Sequence, residues 1–357
     1  MEGGFMNNRT KKTIISSILT IILVLLILAP AGNILSDKFS DNNFLDRQNG
    51  KEFYSLPKNS IDVLVGGNSQ ILAGYCAPQI YNDSGITSFG LGTCSQPIYA
   101  SYYWLKEALK TQSPKVYLLE VSGLYGKTGD AFYIKALAEM KNNLNKVEAA
   151  KNITDGIFSE EFIAYFSDIY RYSSRWSDLK KGDYGFIRGT MEKSYLGYAA
   201  LEQTYDESEN INPKDYPVSL TDKTEPFAKD ENEVYLRKIV DLCKENNIQI
   251  ALFKTVKESW TDEMHTAVKN LADELNVQFF DMNTEDVFSS LDINCATDFY
   301  DPDHLNYIGA AKTSKAYIKF LTESFELTDH RNDEKGKFFA DVYNEYSAYC
   351  KSITADD

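Results

Sequence analysis

Three short stretches of the chain hold residue types suited to acyl-transfer chemistry. The first is Gly66-Gly67-Asn68-Ser69. Two glycines let a backbone turn sharply and approach a ligand closely. A serine that opens a helix after such a turn holds its hydroxyl where developing negative charge is favoured. The same serine also serves as a plain N-cap. The second stretch is Gly90-Leu91-Gly92-Thr93-Cys94-Ser95-Gln96, whose small residues can present backbone N–H groups to an oxyanion. The third is Asp301-Pro302-Asp303-His304-Leu305-Asn306, which holds one of only three histidines. A carboxylate three residues before a histidine can orient the imidazole. The other ring nitrogen is then free to take a proton from a serine hydroxyl. Asp-Pro-Asp is equally good turn chemistry.

These stretches need a scaffold that brings them together. Ile61-Asp62-Val63-Leu64-Val65 is a β-branched run closed by the glycine pair, and reads as a buried strand. Further strands are expected at 88–91, 115–121, 248–253 and 277–281. Helical spacing marks 95–112, 232–245, 261–275 with Thr261 as N-cap, 308–325 and 335–351, the last as a peripheral helix. Strands alternating with helices imply a mostly parallel sheet covered on both faces. Ligands on such sheets bind beyond the carboxyl ends of the strands. That rule selects the same three stretches. The alternation stops between 123 and about 230, where helical patches at 130–146 and 159–175 suggest a mostly helical insertion. Its Tyr170, Tyr172, Trp176, Tyr184 and Phe186 suit either its own core or a sugar-facing surface. The run Asp206-Glu207-Ser208-Glu209 lacks calcium-ligand spacing and reads as a solvated loop.

The 357 residues carry a formal net charge of −15, with no basic stripe in the body of the chain. This excludes nucleic acid as an expected partner. Of the five cysteines none forms a CxxC pair, which argues against structural zinc. Cys76 and Cys94 are the first candidates for a disulfide, with free buried thiols as the alternative. At the N-terminus Arg9, Lys11 and Lys12 precede an apolar run over 14–29, and Asp37, Asp41 and Asp46 follow it. With its flanks the run reaches about 20 residues, the length of a bilayer span. The basic side stays cytoplasmic, so the bulk of the chain is expected outside the membrane. Ala29-Pro30-Ala31 offers a cleavage site, but an uncleaved anchor is the expectation. The organisation then reads as a cytoplasmic tail 1–12, an anchor 13–32, a linker 33–58, an extracytoplasmic domain 59–330 and a helical tail 331–357.

Ser69 after the first strand, Gly92 after the second and Asp301-x-x-His304 near the C-terminus make the chain resemble the SGNH (GDSL-like) hydrolases. The resemblance covers about 60–122 and 232–325. It implies an α/β, flavodoxin-like three-layer sandwich with a mostly parallel sheet, here with the helical insertion and an N-terminal transmembrane helix. It also implies Ser69, Asp301 and His304 as catalytic residues and the N–H groups of Ser69 and Gly92 as the oxyanion hole. Asn68 and Gln96 are candidate substrate contacts. Within that family the anchor, Gly92-Thr93-Cys94-Ser95-Gln96 and the Asp-x-x-His-Leu-Asn run resemble membrane-anchored proteins of cell-envelope acylation. Those of teichoic acid D-alanyl transfer and alginate O-acetylation are examples. A membrane-bound O-acyltransferase is the partner that this resemblance implies. The family's asparagine after the third strand is absent here, where the chain reads Glu120-Val121-Ser122-Gly123.

The chemistry so implied is that of a serine esterase or O-acyltransferase acting on a cell-envelope polysaccharide or teichoic acid, with no metal or organic cofactor. A non-catalytic partner of an acyltransferase and a carbohydrate-binding module on a hydrolase fold are the alternatives. Lys254 at a strand end is expected to be solvated, and His265 and His330 receive no role.

Overall fold

The computed structural model describes residues 7–36, 41–126, 129–157, 159–184, 194–202, 204, 217–257 and 259–353, without the side chains of 8, 25, 27, 29, 41–44, 47 and 130. Asp37, Phe186 and the acidic run at 206–209 lie outside the described residues.

The chain opens with α1 (Asn8–Leu35) and α2 (Asp41–Ser55). Strand β1 (Val63–Gly67) leads through α3 (Ser69–Gly74) and α4 (Ala77–Ser84) to β2 (Ser88–Gly92). Helix α5 (Ile98–Ala108) leads to β3 (Val116–Glu120). The insertion holds α6 (Asp130–Leu137), α7 (Leu144–Ile153), α8 (Glu160–Phe166), α9 (Asp168–Arg171) and a hairpin of β4 (Ser194–Tyr195) and β5 (Tyr198–Ala199). Helix α10 (Asp230–Glu245), β6 (Gln249–Lys254), α11 (Asp262–Leu275) and β7 (Gln278–Asp281) resume the alternation. After α12 (Glu285–Phe288), the two-stranded β8 (Phe299–Asp301) and β9 (His304–Leu305) precede α13 (Tyr307–Ser324) and α14 (Lys337–Ile353).

Five strands form one parallel sheet in the order β2-β1-β3-β6-β7. All five are at the expected places. The step from β1 to β2 runs opposite to the later steps, so right-handed crossovers put α3 and α4 on one face and α5, α10 and α11 on the other. The reversal leaves a crevice beyond the carboxyl ends of β1 and β3, where such sheets bind ligands. Strands β1, β2 and β3 are buried along their whole length, as continuous apolar runs covered on both faces require.

Several expectations change. The stretch 33–58 is not a free linker. Helix α1 runs through to Leu35, and α2 lays Asn49 and Phe53 into the body of the protein, followed by Leu56. Asn49 Nδ2 donates to the Gly90 carbonyl at 2.6 Å. The patch at 130–146 is α6 and the start of α7, divided where the Asn143 side chain caps α7. The insertion also carries the β4–β5 hairpin. Its Tyr170, Trp176 and Tyr184 are exposed instead of packing a core. Helix α14 is less peripheral than expected, since Phe339 is fully buried and packs against Tyr81 of α4. Cys76 and Cys94 are buried, separate thiols, so the candidate disulfide is not formed. Counting described side chains alone, no helix is long and apolar enough to cross a membrane. The expected span gains no support there, although α1 leaves Ile15, Leu19, Leu23 and Leu26 exposed.

Asp46 on α2 is buried against β2's C-terminal turn, where its Oδ1 accepts the Cys94 N–H at 2.6 Å. Burial pushes its carboxyl up to about 7, against the pull of Lys135 at 3.6 Å and of the Cys94 N–H. A carboxyl raised in the folded state stabilises it fully below the unfolded value near 4, and that contribution is lost as pH rises through about 7. The melting temperature is therefore expected to fall between about pH 4 and pH 7, by a free energy of at most ~4 kcal/mol. Asp46→Asn should flatten that slope and raise stability on the alkaline side; an unchanged slope in thermal melts would refute it.

Candidate active site

The site is built where β1 stops. A Cβ on Gly67 would lie 2.8 Å from both Glu120 and Ile71, and one on Gly66 would enter the Tyr117 ring. Close packing therefore requires both glycines. The chain turns at Asn68, whose Oδ1 accepts the Gln70 N–H at 3.0 Å and starts α3. Ser69 is the first residue of that helix.

His304 comes from the β8–β9 hairpin, in which Asp301 and His304 are paired. Asp301 Oδ1 accepts the backbone N–H groups of Asp303 and His304, both at 2.8 Å. His304 Nδ1 lies 2.8 Å from Oδ1 and 2.9 Å from Oδ2 of Asp301. An ionised carboxylate only accepts, so Nδ1 carries the proton and Nε2 is left as an acceptor. Nε2 is 2.8 Å from Ser69 Oγ, which donates to it. Burial alone would push Asp301's carboxyl up. The hydrogen bonds and charge of His304, with the N–H groups of Asp303 and His304, outweigh it and hold the carboxyl below its usual range.

Two anchors fix the hairpin. Gln70 Nε2 donates to the Asp303 carbonyl at 2.7 Å, linking the residue after Ser69 to the residue before His304. Asn306 caps α13, accepting from Ile308 and Gly309 at 3.0 and 3.2 Å, and donates back to the Thr297 carbonyl at 2.7 Å. Beneath lies an ion pair that sequence reasoning missed. Lys254 Nζ donates to Glu120 Oε1 at 2.8 Å and to Gln70 Oε1 at 3.3 Å. Both charged side chains are 0% exposed, so the expectation of a solvated Lys254 is corrected. A strand-end position gave no hint of a buried partner on the neighbouring strand.

Ser69 lies between two cavities. The larger, about 330 Å³, is walled by Asn68, Ser95, Ser122, Tyr125, Lys257 and Trp260. The smaller, about 90 Å³, is mainly apolar and touches Ser69, Asp301 and His304 from the other side. Ser122 follows the third strand, at the place where the hydrolases that the sequence resembles carry an asparagine. Its hydroxyl is held by Glu120 Oε1 at 2.8 Å. Of the candidate contacts, Asn68 lines the larger cavity, whereas Gln96 does not. Gln96 is buried, accepting from Thr93 Oγ1 at 3.1 Å and donating to Ser101 Oγ at 3.0 Å. Ser95, at a φ of 59°, lines the larger cavity instead of Gln96. Gly92 is beside Gly67 in register, and a Cβ there would lie 2.4 Å from the Gly67 carbonyl oxygen. It lines neither cavity.

Trp260 was also missed. Its indole N–H donates to Asp281 Oδ2 at 2.7 Å, and His265 Nδ1 is 2.7 Å from the same oxygen. His265 thus helps to fix a wall of the larger cavity. Lys257 and Trp260 follow the carboxyl end of β6, so the rule that selected the other loops would have found them.

No family model and no curated protein matches this chain. Among solved structures it is similar to a protein assigned as an acylhydrolase from Bacteroides fragilis, with 13% identity, a TM-score of 0.35, and coverage of 77% of this chain and 94% of that one. It is also similar to a GDSL-like lipase from Bacteroides thetaiotaomicron, with 12% identity, a TM-score of 0.31, and coverage of 75% and 94%. Likeness at this level leaves function to be read from the site itself.

Proposed function

We propose that the protein is a serine esterase or O-acyltransferase that works through an acyl-serine on the O-acyl groups of a cell-envelope polysaccharide or teichoic acid. The observation that carries the chemistry is the relay Asp301–His304–Ser69, with its two 2.8 Å links. His304 Nε2 takes the Ser69 proton while Oγ bonds to the acyl carbonyl carbon. The carbonyl becomes an oxyanion, for which the Ser69 N–H at the start of α3 is the proposed donor; the Gly92 N–H expected beside it belongs to a residue that lines neither cavity. The tetrahedral species collapses, and the leaving alcohol takes the proton from His304. A second hydroxyl then gives its proton to His304 and attacks the acyl-serine; the bond to Ser69 Oγ breaks, and Oγ takes that proton back from His304. A sugar or polyol as that second hydroxyl gives transfer, and water gives hydrolysis. The larger cavity, with its hydroxyls, amide, Lys257 and aromatic wall, suits a polyhydroxyl acceptor.

The proposal includes an anchor. The apolar run 14–29 in α1, with exposed Ile14, Ile18, Ile22 and Leu28, supports insertion in a bilayer with the site on the extracytoplasmic side. A membrane-bound O-acyltransferase would then be the source of acyl groups.

The test is labelling of the full-length chain in detergent with a fluorophosphonate probe, beside Ser69→Ala and His304→Ala. Labelling is expected in the wild type and lost in both variants. Equal labelling of wild type and Ser69→Ala would sink the mechanism.

A further inference from the structure

The two cavities that meet at Ser69 differ in size and chemistry. The larger is walled by hydroxyl, amide and ammonium groups. The smaller is walled by Leu45, Leu72, Ala73, Ala199, Leu201 and Tyr300, with Cys94 beside them. Ala73, Ala199 and Leu201 are one buried apolar cluster, against which Leu45 and Tyr300 pack. The walls come from four separate parts of the chain, Tyr300 being in β8. Leu72 and Ala73 belong to α3, which Ser69 opens. Leu45 belongs to α2. Ala199 ends β5, and Leu201 follows it in the insertion.

These walls are held firmly. Glu52 of α2 accepts the Leu196 and Gly197 N–H groups, each at 3.0 Å, and the Ser194 hydroxyl at 2.6 Å. Gly90 of β2 donates to the Leu196 carbonyl at 3.0 Å. Gly197 packs so closely that a Cβ would overlap the Gly90 carbonyl, and its φ of +82° already favours glycine. The hairpin therefore cannot slide away without breaking a network of hydrogen bonds.

We infer that the smaller cavity is the acyl site, and that it limits the transferred group to a short neutral chain such as acetyl or propionyl. The inference rests on the acyl-serine reading above. A volume of about 90 Å³ holds roughly three groups of water or methylene size, at about 30 Å³ each. An octanoyl chain exceeds that volume and would have to extend beyond the cavity. An aminoacyl group would place an ammonium among leucine and alanine side chains, and a buried charge needs a partner. The one carboxylate at the cavity, Asp301, is engaged by His304 Nδ1 and by two backbone N–H groups. The acyl chain thus leaves Ser69 towards α2 and the hairpin, while the alcohol leaves towards Trp260.

The experiment compares kcat/KM for p-nitrophenyl acetate, propionate, butyrate and octanoate, and for the alanyl ester, on the full-length chain in detergent. Active serine is counted by fluorophosphonate labelling. Acetate and propionate should be fastest, butyrate about tenfold slower, and octanoate slower by a further tenfold or more. Leu201→Ala and, from a different element, Leu45→Ala should each shift the preference towards butyrate by about tenfold. A flat profile, a preference for octanoate or the alanyl ester, or an unmoved preference in both folded variants would overturn the acyl-site assignment while leaving the labelled serine intact. A wild type that is neither labelled nor acylated by any ester would overturn both readings.

Discussion

Asp301→Asn is expected to lower kcat by about four orders of magnitude while leaving the fold unchanged. The amide oxygen can still accept the Asp303 and His304 backbone N–H groups that Asp301 Oδ1 accepts now, so the hairpin keeps its shape. The amide nitrogen, however, can only donate. Facing His304 Nδ1, it selects the ring tautomer with the proton on Nε2. That nitrogen then donates to Ser69 instead of accepting from it, and the serine keeps its proton. The imidazolium that forms during attack also loses its counter-charge. A variant with normal melting behaviour, turnover within tenfold of wild type and full fluorophosphonate labelling would refute this role for Asp301. Because the wild-type carboxyl sits below its usual range, it stays ionised well into mild acid. Loss of Asp301's contribution is thus expected only as pH falls through the lower end of the carboxylate range, and an acid limb near neutrality would have another origin.

The parts of this arrangement that the sequence made legible are those governed by local rules. The five strands stand where short runs rich in apolar residues lie between turn residues, and their parallel pairing follows from the intervening helices. Ser69 follows the end of β1, which is where a doubly wound sheet exposes a crevice, whereas the Asp301–His304 pair sits on the β8–β9 hairpin in the connection after β7. The parts that stayed hidden depend on contacts far apart in the chain. Residues 33–58 look polar, yet α2 earns its place through Asn49 on Gly90 and Glu52 on the hairpin, neither visible as a pattern. Gln96 looked free to meet a substrate, but Ser95 takes the positive φ and turns Gln96 inward to Ser101. His265 carried no motif, and only the fold sets it behind Trp260 through Asp281.

Lys254 and Glu120 are the largest such omission, and their removal should be the most damaging change to stability. Both are fully buried under the site. Burial lowers the Lys254 ammonium's pKa, and the Glu120 carboxylate is the group that opposes this most. Lys254→Met would leave Glu120 charged in the core with only Ser122 for company, at Oγ and at the backbone N–H. Stripping one partner from a buried pair costs about 3–5 kcal/mol. Glu120→Gln should cost a similar amount, because it strands the ammonium. Combining the two removes both charges and keeps an amide oxygen for Ser122, so most of the lost stability should return. Activity should not return with it. Without Lys254, Gln70 Oε1 loses a donor, and Gln70 is the residue that holds the Asp303 carbonyl and so the His304 loop. Lys254 is therefore a positioning residue. Denaturant midpoints should recover in the double variant while kcat stays low and KM changes little. Equal recovery of both would mean that the pair serves stability alone, and additive losses of stability would mean that the two charges do not depend on each other.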